Sequence, residues 1–247
     1  MPCILIPLPS HDFDPTEAGV PWQELNRRGH TVRFATPDGV AARADPRMLH
    51  GDGLGPWRSI LRADENGRAA HDAMVASSAF MQPLRYEQVT LDEVDALLLP
   101  GGHASGMRTY LESDRLQALV SAAFARRMPV GAICHGVVLA SRARGMDGRS
   151  VLYGRRTTAL TRGMELSAWA LTGLWLGNYY RTYPTTVQQE VTDALADPAD
   201  FRVGPLALLR DSPNHLERGF VVRDGNYLSA RWPGDAHAFA NEFAAML

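Results

Sequence analysis

The residues best suited to chemistry in this chain are two neighbours, Cys134 and His135, which follow the apolar run 129–133. A thiol attacks a substrate once a base has removed its proton, and histidine most often acts as that base near neutral pH. Small residues, Ala132 and Gly136, lie two positions before and after the cysteine. A chain that leaves a strand and turns sharply into a helix needs small residues there, because larger side chains would collide at the turn. The pattern therefore predicts a nucleophile elbow with Cys134 at its tip.

A structural role is the alternative for Cys134, because unpaired cysteines are often small buried apolar residues. At an elbow, however, the cysteine also lies at the start of the next helix, where free N–H groups and the helix dipole stabilise a thiolate. We therefore expect Cys134 to ionise below the pKa of an ordinary cysteine. The other cysteine, Cys3, belongs to the apolar run 3–8. Two cysteines in separate strands favour a reducing compartment over a disulfide framework.

A second candidate feature is the turn at Gly101 and Gly102, which follows the apolar run 96–99 and precedes His103. Glycine lets a backbone approach a ligand closely, since it has no Cβ. Open parallel sheets bind ligands beyond the carboxyl ends of their strands, where this turn and the elbow should both lie. We therefore predict that Gly101 and His103 contact the substrate. An ordinary strand-end turn and a solvated histidine are the alternatives.

Glu17 is the third candidate, and its position has two interpretations. The residues Asp14, Pro15 and Glu17 predict the start of a helix, with the aspartate as N-cap, the proline at the first helical position and the glutamate at the third. In a capping box Glu17 would accept a hydrogen bond from the Asp14 backbone N–H, which is a sufficient structural role. A functional role for the carboxyl is the alternative.

The elements that must position these residues alternate between strands and helices, which is typical of a doubly wound, mostly parallel sheet with helices on both faces. We predict strands over 3–8, 31–36, 96–99, 129–133 and 156–160, a hairpin formed by 220–223 and 227–230, and helices over 14–28, 69–80, 113–123, 137–143, 164–180 and 235–247. The length of 247 residues fits one large domain. Residues 40–68 are rich in glycine, proline, arginine and aspartate, so we predict that 40–90 is an insertion or lid on a single domain spanning 1–247.

These motifs together resemble the DJ-1/PfpI superfamily, which is related to class I glutamine amidotransferases, and in particular its Hsp31-like branch. The resemblance rests on the elbow, on Glu17, on the loop 99–103, and on the stretches 29–37, 224–226 and 231–233. It implies a flavodoxin-like fold and a homodimer, for which the apolar helix around Trp169 and Trp175 offers surface. It also implies that Cys134 is the nucleophile.

The resemblance assigns roles to the other candidates. It implies that His135 is the base and that protonated Glu17 donates a hydrogen bond to the thiol. It further implies an oxyanion hole built from the backbone N–H groups of Gly102 and His135. The Hsp31-like pattern also places an acidic residue on the strand after the nucleophile helix, to orient the histidine. The matching stretch 157–161 contains no carboxylate, so a hydroxyl, a carbonyl, an acid from elsewhere or one from a partner subunit must take that position.

Composition limits the kinds of partner and the cellular compartments that we expect for this chain. The formal net charge of −2 and the 45% hydrophobic content exclude the basic excess of a nucleic-acid binder and the polarity of a disordered chain. We expect a small-molecule substrate, no nucleic-acid or membrane partner, and a cytoplasmic location. No lysine is present, which excludes Schiff-base and P-loop mechanisms. No close cysteine and histidine grouping has zinc spacing, and we expect neither a metal nor another cofactor.

Three functions agree with this pattern. The leading hypothesis is a cofactor-independent enzyme in which Cys134 attacks a small carbonyl compound, with glyoxalase III-like or deglycase-like chemistry. An amidase or hydratase of the same superfamily is the first alternative. A redox sensor or holdase chaperone, in which Cys134 is oxidised without turnover, is the second.

Overall fold

The computed structural model describes residues 1–206 and 209–247, and a seven-stranded sheet forms its centre. In chain order the strands are β1 (Cys3–Pro7), β2 (His11–Phe13), β3 (Thr31–Thr36), β4 (Arg43–Ala44), β5 (Leu84–Arg85), β6 (Ala96–Leu99), β7 (Val130–Ile133), β8 (Val221–Asp224) and β9 (Tyr227–Ala230). The main sheet has the spatial order β5-β3-β1-β6-β7-β9-β8. Neighbouring strands of this sheet are parallel, except that β8 pairs antiparallel with β9. β2 and β4 form a separate parallel pair.

This strand order confirms the predicted flavodoxin-like fold. The order reverses between β1 and β6, and open sheets of this kind place their ligand crevice at such a reversal, beyond the carboxyl ends of the strands. Every residue of β6 and β7 is buried, as expected for central strands covered on both faces. The segments that follow β1, β6 and β7 therefore meet at one crevice.

Helices cover both faces of the sheet. In chain order they are α1 (Pro15–Arg27), α2 (Pro46–His50), α3 (Arg58–Leu61), α4 (Glu65–Val75), α5 (Ser78–Met81), α6 (Arg108–Leu111), α7 (Asp114–Ala125), α8 (Gly136–Arg142), α9 (Arg162–Leu176), α10 (Val187–Asp193) and α11 (Ala236–Ala244). The crossovers through α1 and α7 run in opposite directions along the sheet, so right-handed connections place the two helices on opposite faces. α1 packs against α4 and α11, and α7 packs against α8. No helix among the described residues is long and apolar enough to cross a membrane.

The insertion differs from the prediction in its boundaries. Residues 65–90 belong to the main body, because α4 packs on α1 through Ala70 and Met74, and β5 extends the main sheet beside β3. The predicted helix over 69–80 is two helices, since Asp64 caps α4 and Ser77 caps α5. The predicted strand over 156–160 is absent from the described sheet; Thr157 forms only an isolated bridge with Phe201.

A second, small hydrophobic cluster lies apart from the main core. It consists of Met48, Leu54 and Tyr180. The segments that contribute to it, residues 45–62 and 162–183, are called the cap here. The indole N–H of Trp175 donates to the Gly53 carbonyl at 2.8 Å, which joins the two segments. Only this part of the predicted lid region therefore lies outside the main core, and it is completed by α9 from the other half of the chain.

Candidate active site

Cys134 occupies a sharp turn between β7 and α8. Its φ is 56°, in the left-handed region that residues with a Cβ rarely adopt. A strained backbone of this kind persists where surrounding structure enforces it, and is frequent at active sites. Gly136 permits the turn, because a Cβ there would come within 2.0 Å of the Leu99 carbonyl oxygen. The structure thus has the elbow geometry that the sequence predicts.

The elbow brings the side chains of Cys134 and His135 together. Cys134 Sγ lies 3.6 Å from His135 Nδ1, and both residues are buried. Consecutive residues of a regular helix do not face each other, so this contact depends on the turn. The histidine is therefore placed to accept the thiol proton through Nδ1.

Glu17 does not form the capping box. Its Oε2 accepts a hydrogen bond from the Gly101 N–H at 2.8 Å. The Asp14 N–H instead donates to the Gly101 carbonyl at 2.8 Å. The other carboxyl oxygen, Oε1, has no hydrogen-bond partner of regular geometry among the described residues, and the thiol of Cys134 lies close enough to alter the pKa of Glu17. The glutamate is therefore directed at the thiol, which favours the second interpretation of its position.

The electrostatics of the pair correct one expectation. Burial raises the pKa of the Cys134 thiol well above its usual range, and a negative charge on Glu17 or Asp14 would raise it further. Burial also raises the pKa of Glu17 well above its usual range, with Asp14 as the second cause. The predicted low thiol pKa is thus wrong for this closed site, because the loss of solvation outweighs the helix start. The resting pair consists of a thiol and a protonated carboxyl.

The two histidines of the site are neutral. Burial lowers the pKa of His135 well below its usual range, helped by His103 and Arg142. Burial alone lowers the pKa of His103 to about 4. The two rings meet edge to face with centroids 5.2 Å apart. His103 is thus not the solvated loop histidine of the alternative interpretation, and His135 is in the protonation state that a base requires.

Two backbone turns meet near the thiol. The His135 N–H donates toward Cys134 and lowers the pKa of its thiol. A Cβ on Gly101 would come within 2.7 Å of the His135 nitrogen, and one on Gly102 within 2.5 Å of the Asp12 carbonyl oxygen. No described residue accepts a hydrogen bond from the Gly102 N–H. The glycine turn and the elbow therefore lie side by side, as expected for neighbouring strands β6 and β7.

The position that an acidic residue was expected to fill is occupied by a hydroxyl. Thr182 Oγ1 lies 3.1 Å from His135 Nε2, on the side of the ring away from the thiol, and 2.5 Å from the His103 carbonyl oxygen. The stretch 157–161 lies elsewhere, with Thr157 bonded to Tyr227 and Ser229. The sequence carries no motif around Thr182. Only the packing of the cap brings it to the histidine.

A cavity of about 380 Å³ adjoins the site. It reaches His103 and Thr182, whereas the Cys134 thiol behind them has no exposed surface. Its wall is as apolar as it is polar and carries both charges; it is formed by Asp12, Asp45, Pro46, Arg47, His103, Ala104, Ser105, Arg108, Asn178, Tyr179, Arg181 and Thr182. Within residues 1–206 and 209–247, no group of three or more histidine, cysteine, aspartate or glutamate side chains could hold a metal ion. A substrate in this cavity would lie beneath the cap and reach the thiol past His103 and Thr182.

Comparisons with known proteins agree with this geometry. A family model described as ThiJ/PfpI family-like matches residues 8–199. The deglycase PfpI of Pyrococcus furiosus is 26% identical over 243 residues, which cover 97% of this chain and 96% of that protein. A deglycase of Thermococcus kodakarensis is 27% identical over 164 residues, 66% of this chain and 69% of that protein. An uncharacterised protein of Schizosaccharomyces pombe is 31% identical over 146 residues, 58% of this chain, and the match spans about half of its length, 51%.

Solved structures share the fold over almost the whole chain. Glyoxalase III from Candida albicans superposes with a TM-score of 0.69 at 17% identity, covering 99% of this chain and 97% of that structure. The Rapid Encystment Protein of 24 kDa from Francisella tularensis superposes with a TM-score of 0.72 at 16% identity, covering 100% and 99%. At these identities the likeness is one of fold.

Proposed function

The chain belongs to the ThiJ/PfpI-like family of the DJ-1/PfpI superfamily, and on that premise we propose that it is an enzyme in which Cys134 attacks a small carbonyl compound. The proposal takes Cys134 as nucleophile, His135 as base and Glu17 as the protonated group beside the thiol. The reaction class that we favour is glyoxalase III-like or deglycase-like, acting on a reactive oxoaldehyde without a cofactor. The Hsp31-like branch stays a prediction.

One observation supports the proposal most directly. The strained turn at Cys134 holds its Sγ 3.6 Å from a neutral imidazole nitrogen, near a carboxyl whose pKa burial raises. A structural cysteine requires neither the strain nor the two partners, since it can pack in any regular element. Nucleophilic catalysis requires a base within reach and a group that stabilises the thiolate.

The chemistry follows from these groups. On attack, the sulfur bonds to the aldehyde carbon of an oxoaldehyde while His135 Nδ1 takes the thiol proton. The oxyanion that forms would lie near the N–H groups of Gly102 and His135 and is then protonated to a hemithioacetal. His135 next removes the proton on that carbon and a proton is returned to the adjacent carbon, which yields a thioester. Water cleaves the thioester to a hydroxy acid and regenerates the thiol, so the net reaction adds one water and needs no external oxidant.

The test is conversion of methylglyoxal to lactate by the purified protein without added thiol or metal. We expect turnover by the native chain and none by Cys134→Ser. His135→Ala should still bind the substrate covalently, more slowly because no base takes the thiol proton, but release no lactate. Because general acid–base catalysis typically contributes about 100-fold or more, a smaller loss in His135→Ala would contradict the role of the base.

Two outcomes would redirect the assignment. Ammonia release from small amides with no action on methylglyoxal would favour the amidase alternative, in which a histidine must protonate a leaving amine. That role normally depends on a carboxylate partner, and His135 has a hydroxyl instead. Peroxide-dependent oxidation of Cys134 with no turnover of either substrate would favour the redox or chaperone alternative.

A further inference from the structure

We infer that Thr182 is a positioning residue for His135, which fixes the ring in the tautomer that presents an unprotonated Nδ1 to Cys134. This inference rests on the proposed function for its catalytic meaning, but the tautomer itself is a property of the resting protein. Thr182 would thus take the position of the acidic residue that the sequence lacks.

Counting hydrogens assigns the tautomer. The Thr182 hydroxyl has one proton, and its oxygen lies 2.5 Å from the His103 carbonyl oxygen, which can only accept. The hydroxyl proton must therefore point at that carbonyl. The same Oγ1 lies 3.1 Å from His135 Nε2, so it can only accept a hydrogen bond there. Nε2 carries the ring proton, and Nδ1 keeps its lone pair for the thiol 3.6 Å away.

A hydroxyl and a carboxylate would orient the ring alike but differ in charge. A carboxylate stabilises the imidazolium and favours a preformed ion pair with the thiolate. Besides the Cys134 thiol, the charged and titratable groups that act on His135 are His103 from the glycine turn and Arg142 from α8, and both favour the neutral ring. Thr182 adds no negative charge to oppose them. The base therefore stays neutral until a substrate is attacked.

Thr182 is itself held by two elements. The Arg108 guanidinium donates to the Thr182 carbonyl through Nε at 3.1 Å and Nη2 at 2.6 Å. That guanidinium also stacks on the Tyr183 ring, 4.9 Å from its centroid. On its other side Thr182 is two residues from Tyr180, which packs in the hydrophobic cluster of the cap. Orientation of the base is thereby linked to closure of the cap.

The experiment uses the full chain labelled with ¹⁵N-histidine. Long-range ¹H–¹⁵N NMR of the resting protein should show His135 with its proton on Nε2 in the native chain and in Thr182→Ser, which keeps the hydroxyl. Thr182→Val has nearly the same shape but cannot accept, so its His135 signals should shift toward the other tautomer or a mixture. In turnover of methylglyoxal, Thr182→Val should lose about tenfold or more in kcat, and Thr182→Ser no more than about threefold.

A third variant of Thr182 places a carboxylate at the same position. Thr182→Asp should raise the pKa that NMR reports for His135 and keep the ring proton on Nε2, because the new carboxylate accepts from Nε2 and stabilises the imidazolium. A native chain with the proton on Nδ1, or a Thr182→Val variant with unchanged His135 signals, would overturn the inference. The NMR readouts need no substrate. Failure of the protein to convert methylglyoxal would therefore count against the proposed function, and the NMR result alone would decide the tautomer assignment.

Discussion

At the scale of single residues, the candidate site is a set of neutral groups that become charged only during reaction. The thiol of Cys134, the carboxyl of Glu17 and the ring of His135 are each shifted by burial toward their uncharged forms. A charge created here by proton transfer from sulfur to nitrogen is poorly solvated by water and must be stabilised by the nearby N–H groups and the Glu17 proton. Such a site avoids a reactive thiolate in the absence of substrate.

The state of Glu17 can be tested through stability. The pKa of its carboxyl is higher in the folded than in the unfolded chain. As pH rises above the pKa that Glu17 has in the unfolded chain, the unfolded chain loses this proton first. Glu17 therefore destabilises the native fold increasingly with pH, until the pKa of the folded state is passed. Glu17→Gln lacks the ionisation. The free energy of unfolding of this variant should therefore rise relative to that of the native chain between pH 4 and 8, as measured by urea denaturation.

Glu24 provides a matched control, for which the dependence of stability on pH has the opposite sign. The pKa of Glu24 is lowered, first by its hydrogen bond with Arg27. Its contribution to stability is present above the unfolded pKa and is lost as pH falls through the folded pKa, so Glu24→Gln should be less stable than the native chain at neutral pH and equal to it in acid. If Glu17→Gln followed the pattern of Glu24→Gln, the carboxyl beside the thiol would be ionised and the neutral-site description would be wrong.

At the scale of elements, the sequence predicted those parts of the structure that depend on local pattern. Short apolar runs that end at glycine or proline predicted β6 and β7, and small residues around Cys134 predicted the elbow between β7 and α8. The apolar composition of α9 predicted a packed helix, but much of its surface is exposed, with Leu174 at 96%. Composition cannot distinguish a helix that packs in the core from one that covers a site.

The parts that could not be predicted depend on contacts between distant segments. Thr182 reaches His135 because the cap folds over the crevice, and nothing near Thr182 in the sequence indicates this. The thiol pKa was misjudged for a related reason: the helix start is visible in the sequence, but complete burial of Cys134 is not. The capping box at Glu17 failed because Gly101, from another element, bonds to both the Asp14 backbone and the Glu17 carboxyl.

The cap should open independently of the main core, because its cluster is separate from it. Leu54 is fully buried in that cluster, and replacing a buried leucine by alanine costs about 2–5 kcal/mol. In Leu54→Ala that cost should favour cap opening, so iodoacetamide should label Cys134 at least about tenfold faster than in the native chain. Labelling is followed by intact-protein mass spectrometry under native conditions.

Leu119→Ala is the control, because Leu119 lies on the buried face of α7 in the main core. It should lower global stability by a comparable amount and leave the labelling rate within about threefold of the native value, provided unfolding remains rare. Equal acceleration in the two variants would mean that the thiol is reached by global unfolding and that the cap does not open as a unit.

At the scale of the whole molecule, we expect a homodimer that uses the exposed face of α9. Leu174 is almost fully exposed, and the indoles of Trp169 and Trp175 are 40% and 47% exposed. Large apolar side chains exposed together on one helix often mark an interface. Light scattering should return twice the chain mass of 27.1 kDa.

Leu174→Asp should shift the monomer–dimer equilibrium toward the monomer, so that light scattering returns the single-chain mass. Met146→Asp is the matched control, since Met146 is also fully exposed but lies outside α9. A native chain of 27.1 kDa at all concentrations would refute the dimer, and dissociation by Met146→Asp alone would place the interface on another face.

The proposed mechanism depends most on a covalent intermediate at Cys134, which His135 then resolves. Intact-protein and peptide mass spectrometry of His135→Ala after prolonged exposure to methylglyoxal tests it directly. We predict an added mass of one methylglyoxal on the peptide that contains Cys134, absent from the His135→Ala, Cys134→Ser double variant, and no lasting adduct on the native chain because turnover removes it. Adducts confined to arginine peptides, with Cys134 unmodified in every variant, would contradict the account.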